Sequence, residues 1–334
     1  MAKKYKNILI FAHSNIGDVC YDLAVVYHLK KTYPDSRISF VTSKKSAEIS
    51  KVVLGVDQII IFDKYKADKG IIGYIRFIQK IRSAKFDLGI ILRDMQMYYF
   101  FNIPVVIKLK KSEVRDNRYH VARKYMRLLS KIGIKNREPK YKFSFSLEQK
   151  EYIENLFLKH KVGQDSFKIG IIPIAGWIFK CWGVEHWNVL IDKLVEEFNA
   201  KIFLLGKTGS SDWEKQFKKK ISTKAVSLID DSSIDESSVL VHNMDLFLGL
   251  DTSFLHLASC MGIPTVGIYG ATDREFIYPF FHRDFIVNSQ AEMKCMPCYP
   301  GPNGGSCKST GPGPCMEQIT PEEVMEKIRQ VLSK

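Results

Sequence analysis

The sequence lacks any apolar run long enough to span a membrane. The best candidate, residues 95–107, is interrupted by Asn102 and Pro104, whereas a spanning helix needs roughly 20 apolar residues. The basic start MAKKYKN precedes an apolar stretch that is too short for a signal peptide, and no small-residue cleavage site follows it. These absences predict a cytoplasmic protein, with peripheral contact to the inner face of the cytoplasmic membrane left open.

Two common nucleotide-binding motifs are also missing. The sequence contains neither the GxGxxG dinucleotide fingerprint nor the GxxxxGK[ST] phosphate loop. It shows no internal repeat, no low-complexity tract and no recognisable nucleic-acid-binding module. These absences argue against a dinucleotide-binding protein with the GxGxxG motif, a P-loop NTPase and the nucleic-acid-binding proteins that carry a known module. A nucleotide site therefore has to be inferred from other residues.

Acidic residues are scarce in the first half of the chain. Residues 1–160 hold 32 Lys and Arg against 15 Asp and Glu, a net charge of +17. Residues 161–334 hold 18 against 21, a net charge of −3. A one-sided positive field favours an anionic partner, and nucleic acid, an anionic lipid surface and a phosphorylated glycolipid all fit it. The alternative is a lysine-rich surface that is merely solvated.

Strand-like and helix-like segments alternate along the whole chain. Strands are predicted at 7–12, 37–42, 58–62, 88–92, 169–173, 201–205, 246–250 and 265–269. Helices are predicted at 19–32, 47–54, 71–83, 119–132, 147–159, 184–198, 212–221 and 321–332. Such alternation is typical of βαβ units and parallel sheets. We therefore expect an α/β protein of two doubly wound, Rossmann-like domains, 1–160 and 161–334, that face a central cleft.

The first candidate motif, HSNIGD, directly follows the first predicted strand. Gly17 lets the backbone turn closely into the next helix, and Asp18 falls in the first turn of that helix. A carboxylate there is stabilised by the helix dipole, so helix capping alone would explain it. The functional hypothesis makes Asp18 a general base that accepts a proton from an acceptor hydroxyl.

The second candidate motif, WIFKCWGVEHW, leads from a strand into a helix. Its single lysine, Lys180, is suited to neutralise a leaving diphosphate as a point charge. A surface lysine beside core tryptophans is the alternative.

The third candidate motif is GLDTSFLHLASCMGIPTVGIYGAT, residues 249–272. An apolar strand ends on Asp251, a short helix opens at Thr252 and Ser253, and a second strand ends on Gly270, before Thr272. In parallel α/β sheets, ligands bind where strands end and helix N-termini begin. A carboxylate and two hydroxyls at that place suit a polyhydroxylated, phosphate-bearing ligand. His256, on the same helix, faces either this site or the core.

Four of the seven cysteines lie within the Gly/Pro-rich loop 295–315, which is followed by the C-terminal helix. A CxxC turn allows two thiolates to reach one ion, and a second pair completes a tetrahedral zinc or iron site. The candidate ligands are Cys295, Cys298, Cys307 and Cys315. Free thiols are the alternative, and a cytoplasmic location disfavours disulfides.

The order SxxGD, then a KxW loop, then D[TS]xxxHLAxxxGxPTxxxxGxT resembles the ADP-heptose:lipopolysaccharide heptosyltransferase family of GT-B glycosyltransferases. The resemblance covers nearly the whole chain. It implies two Rossmann-like domains and inverting transfer of a heptose from ADP-heptose to a lipopolysaccharide inner-core acceptor, without a catalytic metal. Another nucleotide-linked sugar or another acceptor remains open.

The resemblance also implies a role for each candidate residue. Asp18 would be the catalytic base, and Lys180 would contact the donor phosphate and sugar. The remaining donor-binding residues would be Asp251, Thr252, Ser253, His256, Gly270 and Thr272. The basic N-terminal half would dock an anionic glycolipid at the membrane surface through Asn15, Lys108, Lys110, Lys111, Arg115, Arg118, Arg123 and Lys124.

Two alternative functions stay open. Some similar enzymes modify proteins and hold iron with four cysteines, so a metal in loop 295–315 would favour a protein-modifying heptosyltransferase. A non-catalytic nucleic-acid-binding protein would use the basic half but would leave Asp18, Lys180 and Asp251 unexplained. We therefore expect no nucleic-acid partner.

Overall fold

The structure, a computed structural model, describes residues 4–114, 116, 118–135, 138–289, 293–299, 307, 309 and 311–333. It divides into two compact units, Met1–Ser144 and Phe145–Lys334, which we call the N-terminal and C-terminal units. The predicted domain boundary lies after residue 160. In the structure the division falls earlier, because helix Leu147–Lys159 packs against helix Ile234–His242 of the C-terminal unit.

The N-terminal unit is built on a five-stranded parallel sheet. Its elements are β1 Asn7–Phe11, α1 Ile16–Asp22, α2 Ala24–Thr32, β2 Arg37–Thr42, α3 Lys44–Lys51, β3 Gln58–Ile61, α4 Gly70–Ser83, β4 Leu88–Ile91, β5 Val105–Lys108, α5 Lys111–Val114 and α6 Val121–Leu129. The strand order is β3-β2-β1-β4-β5, so β1 is central and pairs with both β2 and β4. The chain therefore changes winding direction between β1 and β4.

The C-terminal unit repeats this plan with a six-stranded parallel sheet. Its elements are α7 Leu147–Lys159, β6 Lys168–Ile172, α8 Val184–Phe198, β7 Lys201–Leu204, α9 Asp212–Lys220, β8 Val226–Ser227, α10 Ile234–His242, β9 Leu246–Leu250, α11 Ser253–Cys260, β10 Thr265–Tyr269, β11 Ile286–Asn288, α12 Pro314–Glu317 and α13 Pro321–Leu332. The strand order is β11-β10-β9-β6-β7-β8. Here the winding direction changes between β6 and β9.

Strand side chains of the C-terminal unit alternate between two buried faces. Leu246 and Leu248 belong to the core cluster that includes residues of α8 and α13, whereas Phe247 belongs to the cluster with residues of α10 and α11. Strands covered by helices on both sides read as continuous apolar runs, as β9 does. Trp182 is fully buried, and its Nε1 donates to the Ile319 carbonyl at 3.0 Å, which anchors the loop after β6.

These sheets confirm the predicted fold class of two doubly wound α/β units. Within the described residues, none of the helices is at once long enough and apolar enough to cross a membrane.

Candidate functional site

The candidate site of the C-terminal unit lies at the carboxyl ends of β6 and β9. These neighbouring strands flank the point where the winding direction reverses, which is where doubly wound sheets bind ligands. The loop after β6 carries Trp177 and Lys180, and β9 is followed at once by Asp251. The sheet topology therefore brings together two residues that are 71 positions apart in the chain.

The Asp251 carboxylate is the centre of a buried polar cluster. Its Oδ2 accepts from Lys180 Nζ at 2.5 Å and from Thr272 Oγ1 at 2.8 Å, and its Oδ1 lies 3.2 Å from His256 Nε2. The side chains of Asp251 and Lys180 are only 9% and 12% exposed. The structure thus joins four of the residues that the sequence predicted for donor binding, and His256 faces the site.

The charge state of Asp251 follows from these contacts. Burial on its own would raise the pKa of Asp251, but the hydrogen bond from His256 and the charge of Lys180 outweigh it and hold the pKa well below its usual range. The neighbouring Tyr269 phenol is fully buried, and its pKa is raised well above its usual range by burial and then by Asp251. The carboxylate is therefore ionised at neutral pH, and one of its tasks is to hold the Lys180 ammonium.

Two aromatic rings lie on the Lys180 ammonium. Its Nζ is 4.7 Å from the centre of the Trp177 ring and 5.3 Å from that of Tyr299, and the two rings meet edge to face at 5.2 Å. The Tyr299 peptide N–H donates to the Ala271 carbonyl, and the Tyr299 carbonyl accepts from the Asp273 N–H. Sequence reasoning missed Tyr299, because only the folded backbone shows that the cysteine-rich loop returns to the end of β10.

Thr252 and Ser253 lie where α11 begins, directly after Asp251. Thr252 is the N-cap residue but makes no side-chain capping bond, and its buried Oγ1 has no partner among the described residues. The first peptide N–H groups of a helix have no partner within the helix and favour anions. This helix start is therefore suited to phosphate oxygens.

Gly270 has a packing role at the end of β10. A Cβ atom at this position would lie 2.6 Å from Met316 Sδ and 2.8 Å from Cys315 Sγ. Glycine thus allows α12 to approach the strand end closely.

In the N-terminal unit, Asp18 lies in the first turn of α1 as the sequence predicted. Its carboxylate is exposed, and the side chain of Asn15, the N-cap residue, donates to it at 3.3 Å. An exposed carboxylate can meet a substrate hydroxyl without prior rearrangement. The same position also stabilises the helix through its dipole.

The predicted acceptor-binding basic residues follow the edge strand β5. Lys108, Lys110 and Lys111 are exposed, whereas Lys124 is buried, with its ammonium donating to the Val114 carbonyl at 2.7 Å. Burial lowers the pKa of Lys124. Two arginines are engaged in ion pairs, Arg118 with Asp116 at 2.8 Å and Arg123 with Glu138 at 3.3 Å. Arg115 lies outside the described residues.

Cys298 and Cys315 each lie within electrostatic range of the other cysteines of the loop. Cys298 and Cys315 are buried, and Cys295 and Cys307 are exposed. Burial, followed by the effect of Cys298, raises the pKa of Cys315 to about 11, and burial followed by Cys295 and Cys307 raises that of Cys298. Within the described ranges, no group of three or more His, Cys, Asp or Glu side chains is placed to hold a metal ion.

Two doubly wound parallel units define an α/β protein of the GT-B glycosyltransferase class, and the Lys180–Asp251 pair occupies a ligand-binding position of that fold. Residues 74–303 match the model of glycosyltransferase family 9 (heptosyltransferase), and the chain belongs to this family. It is therefore a glycosyltransferase enzyme.

Similar proteins agree with this assignment. The chain is 23% identical over 294 residues to a lipopolysaccharide heptosyltransferase 3 from Escherichia coli, covering 79% of this chain and 83% of that protein. A glycosyltransferase family 9 structure from Veillonella parvula has a TM-score of 0.84 at 18% identity, with 100% and 99% of the two chains covered. The structure of Escherichia coli ADP-heptose lps heptosyltransferase II has a TM-score of 0.71 at 17% identity, with 98% of each chain covered.

Proposed function

We propose that this enzyme transfers a heptose from ADP-heptose to an anionic glycolipid of the lipopolysaccharide inner-core type, with inversion at the anomeric carbon. The observation that carries the proposal is the buried cluster of Lys180, Asp251, His256 and Thr272 at the ligand-binding edge of the C-terminal sheet. The names of the similar Escherichia coli proteins support the choice of donor and acceptor.

The contacts of Lys180 suit it to a diphosphate. An ammonium has three donors, and one of them is used by Asp251. No described residue accepts a hydrogen bond from the other two, which would bind the diphosphate oxygens. Asp251 accepts from three groups and also interacts with the buried Tyr269 phenol. A carboxylate has about four acceptor positions, so a sugar hydroxyl would compete with Tyr269 for the last of them. The pair thus binds both ends of the bond that breaks.

Thr252 and Ser253 would add neutral donors at the same place. The start of α11 offers peptide N–H groups to the phosphates, and the Thr252 hydroxyl has no competing partner among the described residues. These donors and Lys180 would stabilise the negative charge that develops on the departing nucleoside diphosphate.

Asp18 is the proposed base. It takes the proton of the acceptor hydroxyl while that oxygen forms a bond to the anomeric carbon of the donor sugar. The bond from this carbon to the diphosphate oxygen breaks, and its electron pair leaves on the diphosphate. Displacement from the opposite face inverts the anomeric centre. In this scheme Lys180 and the peptide N–H groups supply the charge stabilisation, and no catalytic metal takes part.

The acceptor would dock on the N-terminal unit. Asn15 lies beside the proposed base, and the exposed Lys108, Lys110 and Lys111 follow the end of β5. The +17 charge of the first 160 residues favours an acceptor that carries phosphates or acidic sugars. Because Lys124 is buried and Arg118 and Arg123 are paired, we expect the lysines after β5 to contribute most of this attraction.

We also propose that α4 binds an anionic membrane surface, which would place the reaction at the inner face of the cytoplasmic membrane. Ile71 and Ile72, in its first turn, are 80% and 81% exposed, and Tyr65 and Ile75 nearby are also exposed. Exposed basic residues lie before α4 and along it, namely Lys66, Lys69, Arg76, Lys80 and Arg82. Apolar side chains accompanied by cations are typical of helices that lie in the interface of anionic bilayers.

Vesicle binding tests the membrane contact. Co-sedimentation with vesicles that contain an anionic phospholipid should fall strongly for Ile72→Asp. It should stay unchanged for Leu158→Asp, which alters a similarly exposed apolar residue of α7. Equal losses for both variants, or binding that does not depend on the anionic lipid, would contradict the proposed surface.

For the cysteine-rich loop we propose a structural zinc or iron ion held by Cys295, Cys298, Cys307 and Cys315. The described residues do not form a ready metal site, so the ion would have to draw these four side chains together. Burial and the neighbouring loop cysteines raise the pKa of Cys298 and of Cys315, and a set of four thiolate ligands suits either ion. Such an ion would order the segment that carries Tyr299 and would supply no chemistry to the transfer. Elemental analysis of the purified protein decides between a metal and free thiols.

The transfer itself is tested with ADP-heptose and a lipopolysaccharide acceptor that lacks the outer sugars. Asp18→Asn should abolish transfer while ADP-heptose still raises the unfolding temperature. Asp35→Asn alters another exposed acidic residue of the same unit, serves as the control and should keep normal turnover. Near-normal turnover by Asp18→Asn would rule out the proposed base.

Two other outcomes would redirect the proposal. Transfer to a protein but not to the glycolipid would identify a protein-modifying heptosyltransferase. Salt-sensitive binding to RNA or DNA without any effect of ADP-heptose on unfolding would favour a nucleic-acid-binding protein. Parallel unfolding assays with UDP- and GDP-linked sugars identify the donor if ADP-heptose is inactive.

A further inference from the structure

The N-terminal unit has its own ligand-binding edge, at the ends of β1 and β4. Phe11 and Ile91 pair across these strands, and each is followed two residues later by a side chain that can carry positive charge, His13 and Arg93. Arg93 Nη1 donates to the hydroxyl of Ser14 at 2.8 Å. Two cationic side chains thus meet at the point where the winding direction of this sheet reverses.

The loop that holds these side chains is fixed by hydrogen bonds. The Ser14 carbonyl accepts from the hydroxyls of Ser43 at 2.7 Å and Ser46 at 2.9 Å, and the His13 carbonyl accepts from Thr42 at 2.7 Å. Thr42 ends β2, Ser43 is the N-cap residue of α3, and Ser46 lies in the first turn of α3. The loop is therefore pre-organised, which lowers the entropic cost of binding a ligand.

The fully buried Asp22 carboxylate holds His13. It accepts from the His13 peptide N–H at 2.7 Å and lies 3.1 Å from Nδ1 of the ring, and the buried Tyr125 phenol bonds to it as well. Burial on its own would lower the pKa of His13, and Arg93 acts in the same direction. Asp22 and, more weakly, Asp18 outweigh both and raise the pKa to about 9. His13 is therefore positively charged at neutral pH.

Donors remain unused at this place. The His13 side chain is 30% exposed, and its Nε2 has no partner in the described part of the chain. Arg93 is partly buried and forms no ion pair with any described residue, although a guanidinium has five donors and Ser14 accepts only one of them. If Arg93 served only to hold the Ser14 hydroxyl, a neutral donor would be enough. A partly buried cation without a counter-ion is unfavourable, so the charge of Arg93 indicates that an anion binds there.

We propose that Arg93, Ser14 and His13 form an anion subsite beside Asp18, which holds a carboxylate or phosphate group of the acceptor. The proposal rests on the proposed function for the identity of that acceptor. A guanidinium presents paired donors that match the oxygens of either group, and the His13 ring adds one more. Binding there would place an acceptor hydroxyl near Asp18, so the subsite determines which acceptor is used and which of its hydroxyls reacts.

Anion titration followed by NMR of the histidine ring nitrogens tests the subsite directly. The probes are inorganic phosphate and, separately, glucuronate, at low ionic strength and neutral pH, with the His13 signals identified by their loss in His13→Gln. One or both probes should shift the His13 signals saturably. Arg93→Gln should weaken this binding about tenfold or more, since a hydrogen bond to a charged group is lost.

The matched control is Arg37→Gln. It removes the same charge from an exposed position at the start of β2. This position lies at the amino ends of the strands, away from the subsite at their carboxyl ends, so the substitution should leave the titration unchanged. If Arg93→Gln fails to fold, Arg93→Lys and Ser14→Ala take its place. Arg93→Lys removes the paired guanidinium donors, and Ser14→Ala removes the hydroxyl that positions them. Both variants should weaken binding.

The outcomes separate the two anions and the two proposals. A response to phosphate alone assigns a phosphorylated acceptor, and a response to glucuronate alone assigns an acidic sugar. No shift of His13 with either probe, or equal binding by Arg93→Gln, overturns the subsite. ADP-heptose is added to the same samples in an unfolding assay, so that failure of the donor to stabilise the protein refutes the proposed transfer without affecting the anion result.

Discussion

Replacing Lys180 with methionine tests the central cluster of the C-terminal unit. The substitution Lys180→Met keeps most of the aliphatic stem and removes only the ammonium group. Asp251, with a side chain only 9% exposed, then keeps the hydrogen bonds from His256 and Thr272 but loses its nearest full positive charge. We therefore expect a large loss of stability from a substitution that barely changes packing.

The magnitude follows from the burial of the pair. Removing one partner of a buried ion pair costs about 3–5 kcal/mol, because the remaining charge is left uncompensated. The contacts of Asp251 with Thr272 at 2.8 Å and His256 at 3.2 Å remain, so we expect the lower end, about 3 kcal/mol. For a unit of this size, 1 kcal/mol changes Tm by about 2–4 °C. The expected decrease in Tm is therefore about 6–12 °C.

The assay is urea and thermal unfolding of the wild type, Lys180→Met, Asp251→Asn and the double variant. Once the carboxylate is also neutral, the double variant should recover part of the loss. Lys193→Met is the control, because its pair with Glu322 lies at the surface, with side chains 39% and 57% exposed. Such pairs contribute less than about 1 kcal/mol. An effect of Lys180→Met no larger than that of Lys193→Met would refute the reasoning.

The pH dependence provides an independent check. Because the pKa of Asp251 is held below its usual range, its contribution to stability is present above the unfolded-state pKa of about 3.9. It is lost only as the pH falls through the lower folded-state value. In Lys180→Met the folded-state pKa rises, so the stability difference between wild type and variant should shrink as the pH falls below about 4. A constant difference across this range would contradict the assignment.

Three further predictions concern other positions. Gly270→Ala should lower the free energy of unfolding by about 1–3 kcal/mol in urea titrations, because the new Cβ would lie 2.6 Å from Met316 Sδ, and an unchanged midpoint would contradict this packing. Tyr299→Ala should weaken ADP binding a few-fold in calorimetry, since it frees the Lys180 ammonium, whereas Tyr299→Phe should not, because a cation–π contact needs only the ring. Since the pKa of His13 is raised to about 9, its contribution to stability is complete below pH about 6.5 and is lost as the pH rises through about 9. The Tm advantage of wild type over His13→Gln should therefore be smaller at pH about 10 than at pH about 6, and a constant advantage would refute it.

Long apolar runs made much of the C-terminal unit predictable. Strands β9 and β10 and helices α7, α8 and α13 have the predicted bounds, because the two strands are continuous apolar runs and the helices have clear end signals. Thr320 and Glu323, for example, form a capping box at the start of α13. Strands β5, β8 and β11 were not predicted. Each has two to four residues and gains its stability from a neighbouring strand rather than from its own sequence.

Helix boundaries were less predictable where a side chain outside the periodic pattern sets them. The predicted helix 47–54 begins at Lys44, since the Ser43 hydroxyl accepts from the Ser46 N–H and caps it. The predicted helix 19–32 is two helices interrupted at Leu23. In both cases the apolar periodicity identifies the buried face of the helix but not the residue at which it starts or stops.

The donor side of the site was largely readable, because its residues follow apolar strands directly. Asp251 directly follows β9. Lys180 lies in a loop that contains tryptophans, and large apolar side chains of this kind indicate that the loop packs against the core. The sequence could not show that most of the hydrogen bonds that Asp251 can accept come from Lys180, His256 and Thr272. That role depends on burial, which a motif does not encode, and it makes the carboxylate a positioning group as well as a ligand for a sugar hydroxyl.

His13 begins the HSNIGD motif, but the sequence assigned no role to it or to Arg93. Asp22 occupies the buried side of α1, a place where the apolar pattern predicts core, and nothing in the chain indicates that it lies behind the His13 ring. Yet the two units share one arrangement: near a point of reversed winding, a buried carboxylate holds a cation whose remaining donors have no hydrogen-bond partner in the described part of the chain. If the anion titration succeeds, the Lys180–Asp251 and His13–Asp22 pairs would be equivalent solutions in the two sheets. One would serve the leaving diphosphate and the other the charged group of the acceptor.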